Sequence, residues 1–455
     1  MIAALHARAL RASVTPLRPF TRGLFSQSAP QSRRSPLVTG FYAAAFALSA
    51  GLFTVYYFDA RSNLHRYIVM PVMRGLFDAE TGHKLAVQVL RSGLSPRDPL
   101  PDDPQLKCEM WGKVLSNPIG VAAGFDKHGE AIDGALQDLG FSWVEIGSVT
   151  PQPQPGNPKP RMFRLSEDDA IINRYGFPSQ GHAAVVARLR KRTPKFLAPE
   201  QDTAAFKPHA LLAVNLGKNK MSPADSAEDF VSGVHAFGPH SDVLVINVSS
   251  PNTPGLRGLQ DSELLQNLLA EVANARSLLS ASSVVANKPK LVVKLSPDLT
   301  KQQLFGVAEV IRNSSVDGVI ISNTTVQRPD SLKDSNKGEK GGLSGAPLKP
   351  ITLAALKTMR AELPASIPII GCGGIATGAD ALEYAKAGAS MVQVYTSFGY
   401  DGVGACRRIK DQLLMELSKE GKSWQQVVDE SIARLSRKKT LTTEGEVKAL
   451  AASTL

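Results

Sequence analysis

No aspartate or glutamate occurs before Asp59, while Arg8, Arg11, Arg18, Arg22, Arg33 and Arg34 all fall in that stretch. An acid-free leader carrying arginine and serine matches a mitochondrial transit peptide, taken here as residues 1–36. A secretory signal is excluded, because the apolar stretch begins only at Leu37, far behind a short basic n-region. Those arginines supply much of the net charge of +11. What remains is ordinary for a chain of 455 residues, and no basic stripe interleaved with aromatics occurs, so a nucleic-acid partner is excluded. Cysteine is scarce as well. Cys108, Cys372 and Cys406 lie far apart, with no C-x-x-C and no paired-histidine spacing, which leaves no disulfide framework and no metal site. Charge is missing from Leu37 to Phe58. As a helix that stretch would extend about 33 Å, against a hydrocarbon core of about 30 Å. Flanked by Arg33 and Arg34 before it and Asp59 and Arg61 after it, it reads as one transmembrane helix, with a buried helix as the alternative. Internal repeats and heptad runs are also absent.

What is present is a repeated pattern of strand ends. Val243–Val248 is apolar and β-branched apart from Asn247, as in a strand buried on both faces. It closes on Ser249, Ser250, Asn252 and Thr253, where Pro251, Pro254 and Gly255 stop any regular element. Ile119–Gly124, Trp143–Ser148, Leu212–Gly217, Leu291–Leu295, Val319–Thr324, Ile367–Gly374 and Met391–Thr396 repeat the form, each an apolar run ending on small or polar residues. Segments of helical period lie between most of them, such as 224–237, 263–279 and 379–387. Eight such alternations predict an α/β fold, a (β/α)8 TIM barrel over residues 96–420. An open doubly wound sheet is the competing architecture, but the G-x-G-x-x-G expected after its first strand is missing.

The chain exceeds a minimal barrel of roughly 250 residues. Part of the excess is 59–95, which holds two helical patterns and completes an N-terminal helical hairpin. Val69, Val72, Met73 and Leu76 share one face, and Leu85, Ala86, Val89 and Leu90 another. Asp78 is the N-cap between them, with Glu80 in the following turn. The pair either packs on the barrel or lies in a membrane surface and opens a path for an apolar substrate. Residues 190–208 read as an inserted loop, 328–342 as a mobile lid, and 421–455 as a helical, then polar tail that frays.

Taken together, the strand ends make a constellation. Glycines at Gly124, Gly147, Gly345, Gly373 and Gly374 permit close backbone approach, and the last two strands of such barrels commonly hold a phosphate. Lys127 and Lys294 are the two cations. Asn173, Asn215, Asn247, Asn252 and Asn323 offer uncharged donor and acceptor pairs, which suit a planar, amide-rich ligand such as a pyrimidine or a flavin.

These motifs are also a family's motifs. A-A-G-F-D-K-H-G-E (Ala122–Glu130), E-I-G-S-V-T-P (Glu145–Pro151), N-R-Y-G-F (Asn173–Phe177), N-L-G-K-N-K (Asn215–Lys220), N-V-S-S-P-N-T (Asn247–Thr253) and G-G-L-S-G (Gly341–Gly345) resemble dihydroorotate dehydrogenase, from Asn63 to about Leu417. Ser250 at the presumed base position, where the soluble class carries Cys, and the helical extension resemble the class 2 mitochondrial enzyme. The resemblance implies FMN as prosthetic group, dihydroorotate as substrate and ubiquinone as electron acceptor in pyrimidine biosynthesis. It also implies a monomer at the lipid of the mitochondrial inner membrane, with the barrel facing the intermembrane space. By motif, Ala122, Ala123, Gly124, Phe125, Asp126, Ser148, Asn215, Asn247, Lys294 and Ser322 would line FMN. Gly345, Gly374, Tyr395 and Thr396 would do so around its phosphate. Lys127, Asn173, Arg174, Tyr175, Gly176, Phe177, Asn247, Ser250, Asn252, Asn323 and Thr324 would hold the substrate, with Ser250 as base. Arg74, His83 and Arg164 would lie along the quinone route. Two other readings stay open: a membrane-anchored flavin scaffold without turnover, which intact Ser250, Lys127 and Asn252 oppose, and a pyrimidine reductase with a soluble acceptor. The second would bring a nicotinamide module or cysteine clusters, and the chain has neither.

Overall fold

The computed structural model describes residues 35–194, 202–280, 282, 284–285 and 287–435. The leader arginines and the end of the tail lie outside them. The chain falls into two compact units, one ending at Leu52 and the other beginning at Phe53. Helix α1, Pro36–Phe58, is long and apolar enough to cross a membrane.

Eight parallel strands close a barrel: β1 (Ile119–Val121), β2 (Trp143–Val149), β3 (Leu211–Leu216), β4 (Val243–Asn247), β5 (Lys290–Leu295), β6 (Gly318–Ile321), β7 (Ile369–Cys372) and β8 (Met391–Val394). All eight apolar runs of the sequence supply a strand, and neighbours in the chain are neighbours in the barrel. The ring is completed where Val392 of β8 pairs with Ile119 of β1. Strand β4 is buried at every position. Helices Glu228–Phe237, Ser262–Ser277, Lys301–Arg312, Lys349–Glu362 and Gly378–Lys386 follow β3 to β7 in turn. Only β1 is followed by a single π turn, Gly134–Asp138.

Ahead of the barrel, α2 (Met70–Leu76) and α3 (Ala79–Arg91) form the expected pair. Asp78 caps α3, accepting from Glu80 N at 3.0 Å and Thr81 N at 3.1 Å. Val72 and Leu76, together with Tyr67 and Ile68 before α2, are exposed.

Beside the barrel mouth, Met162–Leu165, Ala170–Asn173 and Gly342–Gly345 form a three-stranded antiparallel sheet. Residues 328–342 are therefore no free lid. The Asp168 carboxylate accepts from Lys333 N at 2.9 Å and Asp334 N at 3.0 Å, Leu332 is buried, and Gly342 starts a strand. The start of the tail is helical, as expected, and 436–455 lie outside the described residues. A helix over 424–435 follows Gly421, and fully buried Trp424 donates its indole N–H to Ser390 O at 2.9 Å. Of the 190–208 insertion, 195–201 lie outside the described residues, and Ala204 N is held by Asp242 Oδ1 at 3.0 Å.

Candidate active site

A cavity of about 380 Å³ opens at the carboxyl ends of the strands. Its floor is a polar layer set inside the barrel. Glu145 of β2, fully buried, accepts from Lys294 Nζ of β5 at 3.3 Å and from Asn215 Nδ2 of β3 at 2.6 Å. Its other oxygen accepts from Gln393 Nε2 of β8 at 2.6 Å. Strands β5 and β8 do not neighbour β2, so these contacts cross the lumen. Asn215 Oδ1 in turn accepts from Ser148 Oγ and, at 3.2 Å, from Asn247 Nδ2. Asn247 Oδ1 accepts from Ser249 Oγ at 3.0 Å and Asn323 Nδ2 at 3.3 Å. A barrel interior usually filled by branched apolar side chains carries a linked chain of amides, hydroxyls and one ion pair here.

One end of the cavity is built from glycine. Gly345, Gly373 and Gly374 have φ of +98°, +144° and +68°. A Cβ on Gly374 would lie 2.7 Å from Lys349 Cβ and 2.9 Å from Gly345 O, so only glycine fits this tightly packed turn. Ser344 Oγ and Thr396 Oγ1 share a hydrogen bond of 2.8 Å beside it. Two buried atoms of the cavity wall, Ser397 Oγ and Gln393 Oε1, have no partner among the described residues. The site is thus shaped for a ligand with an acceptor, such as a phosphoryl oxygen, at the glycine end and a donor over the floor.

Ser250 and Asn252 form the opposite wall. Ser250 is buried, and its Oγ accepts from Asn252 N at 3.3 Å. Asn252 Nδ2 donates to Asn173 O at 3.1 Å, and Asn323 Nδ2 to Ser249 Oγ at 3.0 Å. Lys127 Nζ lies 4.2 Å from the Tyr175 ring centre and donates to Gly124 O. Burial lowers its pKa to about 7. One cation among uncharged amides fits a ligand with one carboxylate and several amide groups.

The hairpin meets this region from the other side. His83 of α3 lies 2.6 Å from Phe125 O through Nε2, so that nitrogen carries the proton and Nδ1 faces Lys127 Nζ at 3.5 Å. Burial, then the Lys127 charge, lower its pKa to about 3, and the ring is neutral. Arg164 Nη1 donates to Phe77 O at 2.8 Å, at the C-terminal end of α2. Arg74 Nη1 donates to Tyr400 O at 2.7 Å and stacks on that ring. His83 also sits edge-on to Tyr395, 6.3 Å between ring centres.

Most residues singled out in the sequence meet here. Ala122, Ala123, Gly124, Lys127, Ser148, Asn173, Tyr175, Gly176, Phe177, Asn247, Ser250, Asn252, Lys294, Ser322, Asn323, Thr324, Gly345, Gly374, Tyr395 and Thr396 all line the cavity. Phe125, Asp126, Asn215 and Arg174 do not, and neither do Arg74, His83 and Arg164, expected along the quinone route. Phe125 packs on Phe398, and Asp126 accepts the N–H groups of Glu130 and Ala131 at 2.8 and 2.7 Å. Asn215 lies a layer below the surface, and Arg174 turns away to Glu339 at 2.6 Å. Sequence reasoning assigned no role to Glu145 or Gln393. Their signal was a single polar residue inside an otherwise apolar strand, W-V-E-I-G and M-V-Q-V.

Fold and cavity together define a (β/α)8-barrel enzyme with a polar, glycine-edged site at the strand ends. The family described as dihydroorotate dehydrogenase matches residues 105–417. A mitochondrial dihydroorotate dehydrogenase (quinone) of Lachancea kluyveri is 48% identical over 420 residues, 88% of this chain and 94% of that protein. The Mus musculus protein of the same name is 47% identical over 381 residues, 83% of this chain and 93% of the relative. Among solved structures, the ligand-free type DHODH of Eimeria tenella superposes with a TM-score of 0.73 at 40% identity, covering 77% of this chain and 99% of the other. The chain belongs to the dihydroorotate dehydrogenase family, in its class 2, quinone-dependent branch.

Proposed function

We propose that this protein oxidises (S)-dihydroorotate to orotate for pyrimidine biosynthesis, with FMN as its flavin and ubiquinone as electron acceptor. The residues fit that flavin. Gly345, Gly374, Thr396 and the unpartnered Ser397 hydroxyl would hold its phosphate, and Gln393, Ser148, Asn247 and Lys294 would face its ring. Bound there, FMN supplies the two-electron acceptor between substrate and quinone. The rest falls to the chain's own side chains. Lys127 pairs with the substrate carboxylate, while Asn173, Asn252 and Asn323 match the ring's amide donors and acceptors. Ser250 takes the proton from the carbon next to the one that loses hydride, relayed onward because a free hydroxyl is a weak base. Lys294, anchored by Glu145, places positive charge where negative charge gathers. Arg74, His83 and Arg164 line the quinone route beneath the exposed residues of the hairpin.

We further propose that residues 1–36 direct import into mitochondria and 37–58 anchor the chain in the inner-membrane lipid. On this reading 59–95 form the quinone entrance, 96–420 the catalytic barrel facing the intermembrane space, and 421–455 a tail, the whole acting as a monomer. The observation that carries the reading is the joining, in one cavity, of Ser250, Lys127 and the asparagines with a glycine-edged end and an unpartnered hydroxyl. Purified protein is expected to show flavin absorption bands that dihydroorotate bleaches without oxygen and that a long-tailed quinone restores. A colourless protein, or a flavin that dihydroorotate leaves oxidised, would overturn it.

A further inference from the structure

The loop that presents Ser250 is held from below by a residue the chemistry above does not use. Arg257 lies in the 3-10 turn Leu256–Gln260, at the end of the polar stretch that follows β4. Its guanidinium reaches three different strand-end loops. Nε donates to Ser249 O at 3.0 Å, Nη1 to Asp298 Oδ2 at 2.8 Å, and Nη2 to Thr324 O at 3.0 Å. Ser249 O belongs to the peptide that leads into Ser250, the base, and Thr324 O to a residue of the substrate set next to Asn323, so two of the acceptors are backbone carbonyls of the loops that carry the base and the substrate contacts. Asp298, after β5, is used as fully. It also accepts from Thr325 Oγ1, from Val326 N at 2.9 Å and from Gln327 Nε2 at 3.2 Å. Both side chains are largely buried, at 24% and 13% exposed.

A planar fork with fixed donor directions sets distances between its acceptors in a way that a single point charge cannot. We infer that Arg257, braced by Asp298, is a positioning residue for substrate oxidation: it fixes the Ser250 loop against the Asn323–Thr324 loop, and hence base against substrate. This rests on the reading of Ser250 as base. Misplacement of a reacting group by about 1 Å costs up to about a hundredfold in rate. Loss of the fork should therefore act on the oxidation step and do so through Ser250.

The test is anaerobic stopped-flow reduction of the flavin by dihydroorotate in full-length holoenzyme, with flavin content, thermal melting and orotate affinity measured alongside. Arg257→Gln should reduce flavin about tenfold to a hundredfold more slowly, while orotate affinity changes by less than about threefold. Arg257→Lys keeps the charge opposite Asp298 but not the fork, and should recover part of the rate. Adding Arg257→Gln to Ser250→Ala should cost little beyond Ser250→Ala alone, because a positioning effect needs the group it positions. A purely structural role would instead multiply the two losses. If Ser250→Ala is slow but Arg257→Gln reduces flavin at the wild-type rate, or the losses multiply, the positioning role is wrong. If Ser250→Ala itself reacts at the wild-type rate, the base assignment fails. Should Arg257→Gln bind no flavin, the same comparison is made with Arg257→Lys, where a wild-type rate overturns the proposal.

Discussion

Glu80 and Arg161 meet as a two-pronged ion pair, with Nε 3.0 Å from Oε2 and Nη2 2.9 Å from Oε1, and both side chains are nearly buried. Glu80 belongs to the first turn of α3 and Arg161 immediately precedes the strand Met162–Leu165, so the pair bolts the hairpin onto the flank of the barrel. Arg161 Nη1 also reaches Pro155 O at 2.7 Å and Asn157 O at 2.9 Å, which leaves little of the guanidinium unused.

Removing one side of this pair strands the other. Glu80→Ala is expected to cost about 3–5 kcal/mol. Burial raises the Glu80 pKa, but the Arg161 hydrogen bonds and charge outweigh it and bring the carboxyl down to about 2 from 4.5. A lowered folded-state pKa stabilises fully above the unfolded value and is lost as pH falls from about 4.5 towards about 2. Thermal melts of wild type and Glu80→Gln between pH 6 and pH 3 check this. The gap between them should narrow on acidification, and a constant gap would count against the linkage.

Ser250→Ala should fold and bind flavin normally yet reduce it about a hundredfold more slowly. Ser250→Cys should lose less, since a thiolate forms more readily. Single-turnover reduction by dihydroorotate reads both directly. A wild-type rate in the alanine variant would falsify the base assignment.

Lys127 gives the substrate side a pH dependence of definite sign. Its pKa in the free protein lies at about 7 because it is buried, and a carboxylate binds the charged form. Orotate affinity should hold below pH 7 and weaken above it, approaching roughly tenfold per pH unit. Lys127→Met should bind more weakly and flatly with pH. Spectral titration with orotate from pH 6 to pH 9 distinguishes the two, and a flat wild-type profile would remove Lys127 from the carboxylate site.

Tyr67, Ile68, Val72 and Leu76 are exposed on the hairpin, and a quinone tail returned to water costs about 0.8 kcal/mol per CH₂. Replacing Val72 and Leu76 by serine should slow flavin reoxidation by a long-tailed quinone about tenfold or more. A tail-less quinone should be unaffected, and so should reduction by dihydroorotate. Equal behaviour towards the two quinones would place the tail elsewhere.

All eight strands were legible because each is an apolar run whose length matches a buried parallel strand and whose end changes abruptly to Gly, Ser or Asn. Asp78 was legible for the same local reason, as a cap. The three-stranded sheet was not. Gly342–Gly345 is half glycine, with one apolar residue, Leu343, and preceded by alternating charge, so nothing in its own composition marks a strand; its partner Ala170–Asn173 supplies that from far away in the chain. Trp424 is likewise anchored from far away in the chain, by Ser390 and the core it packs into. Arg174 followed its motif into the site on paper, but a carboxylate from the 328–342 segment, Glu339, draws it aside. Pairings across distant segments are what periodicity cannot carry.

Closing the ring by pairing Val392 with Ile119 has a consequence for how the chain is made. The first strand leaves the ribosome with no partner on one edge and waits for nearly the whole remaining chain to be translated. Chains arrested before β8 are expected to be digested freely by a protease that spares the barrel of the finished protein. Until that last strand emerges the ring stays open, and the free edge of its first strand is a template for pairing with another chain.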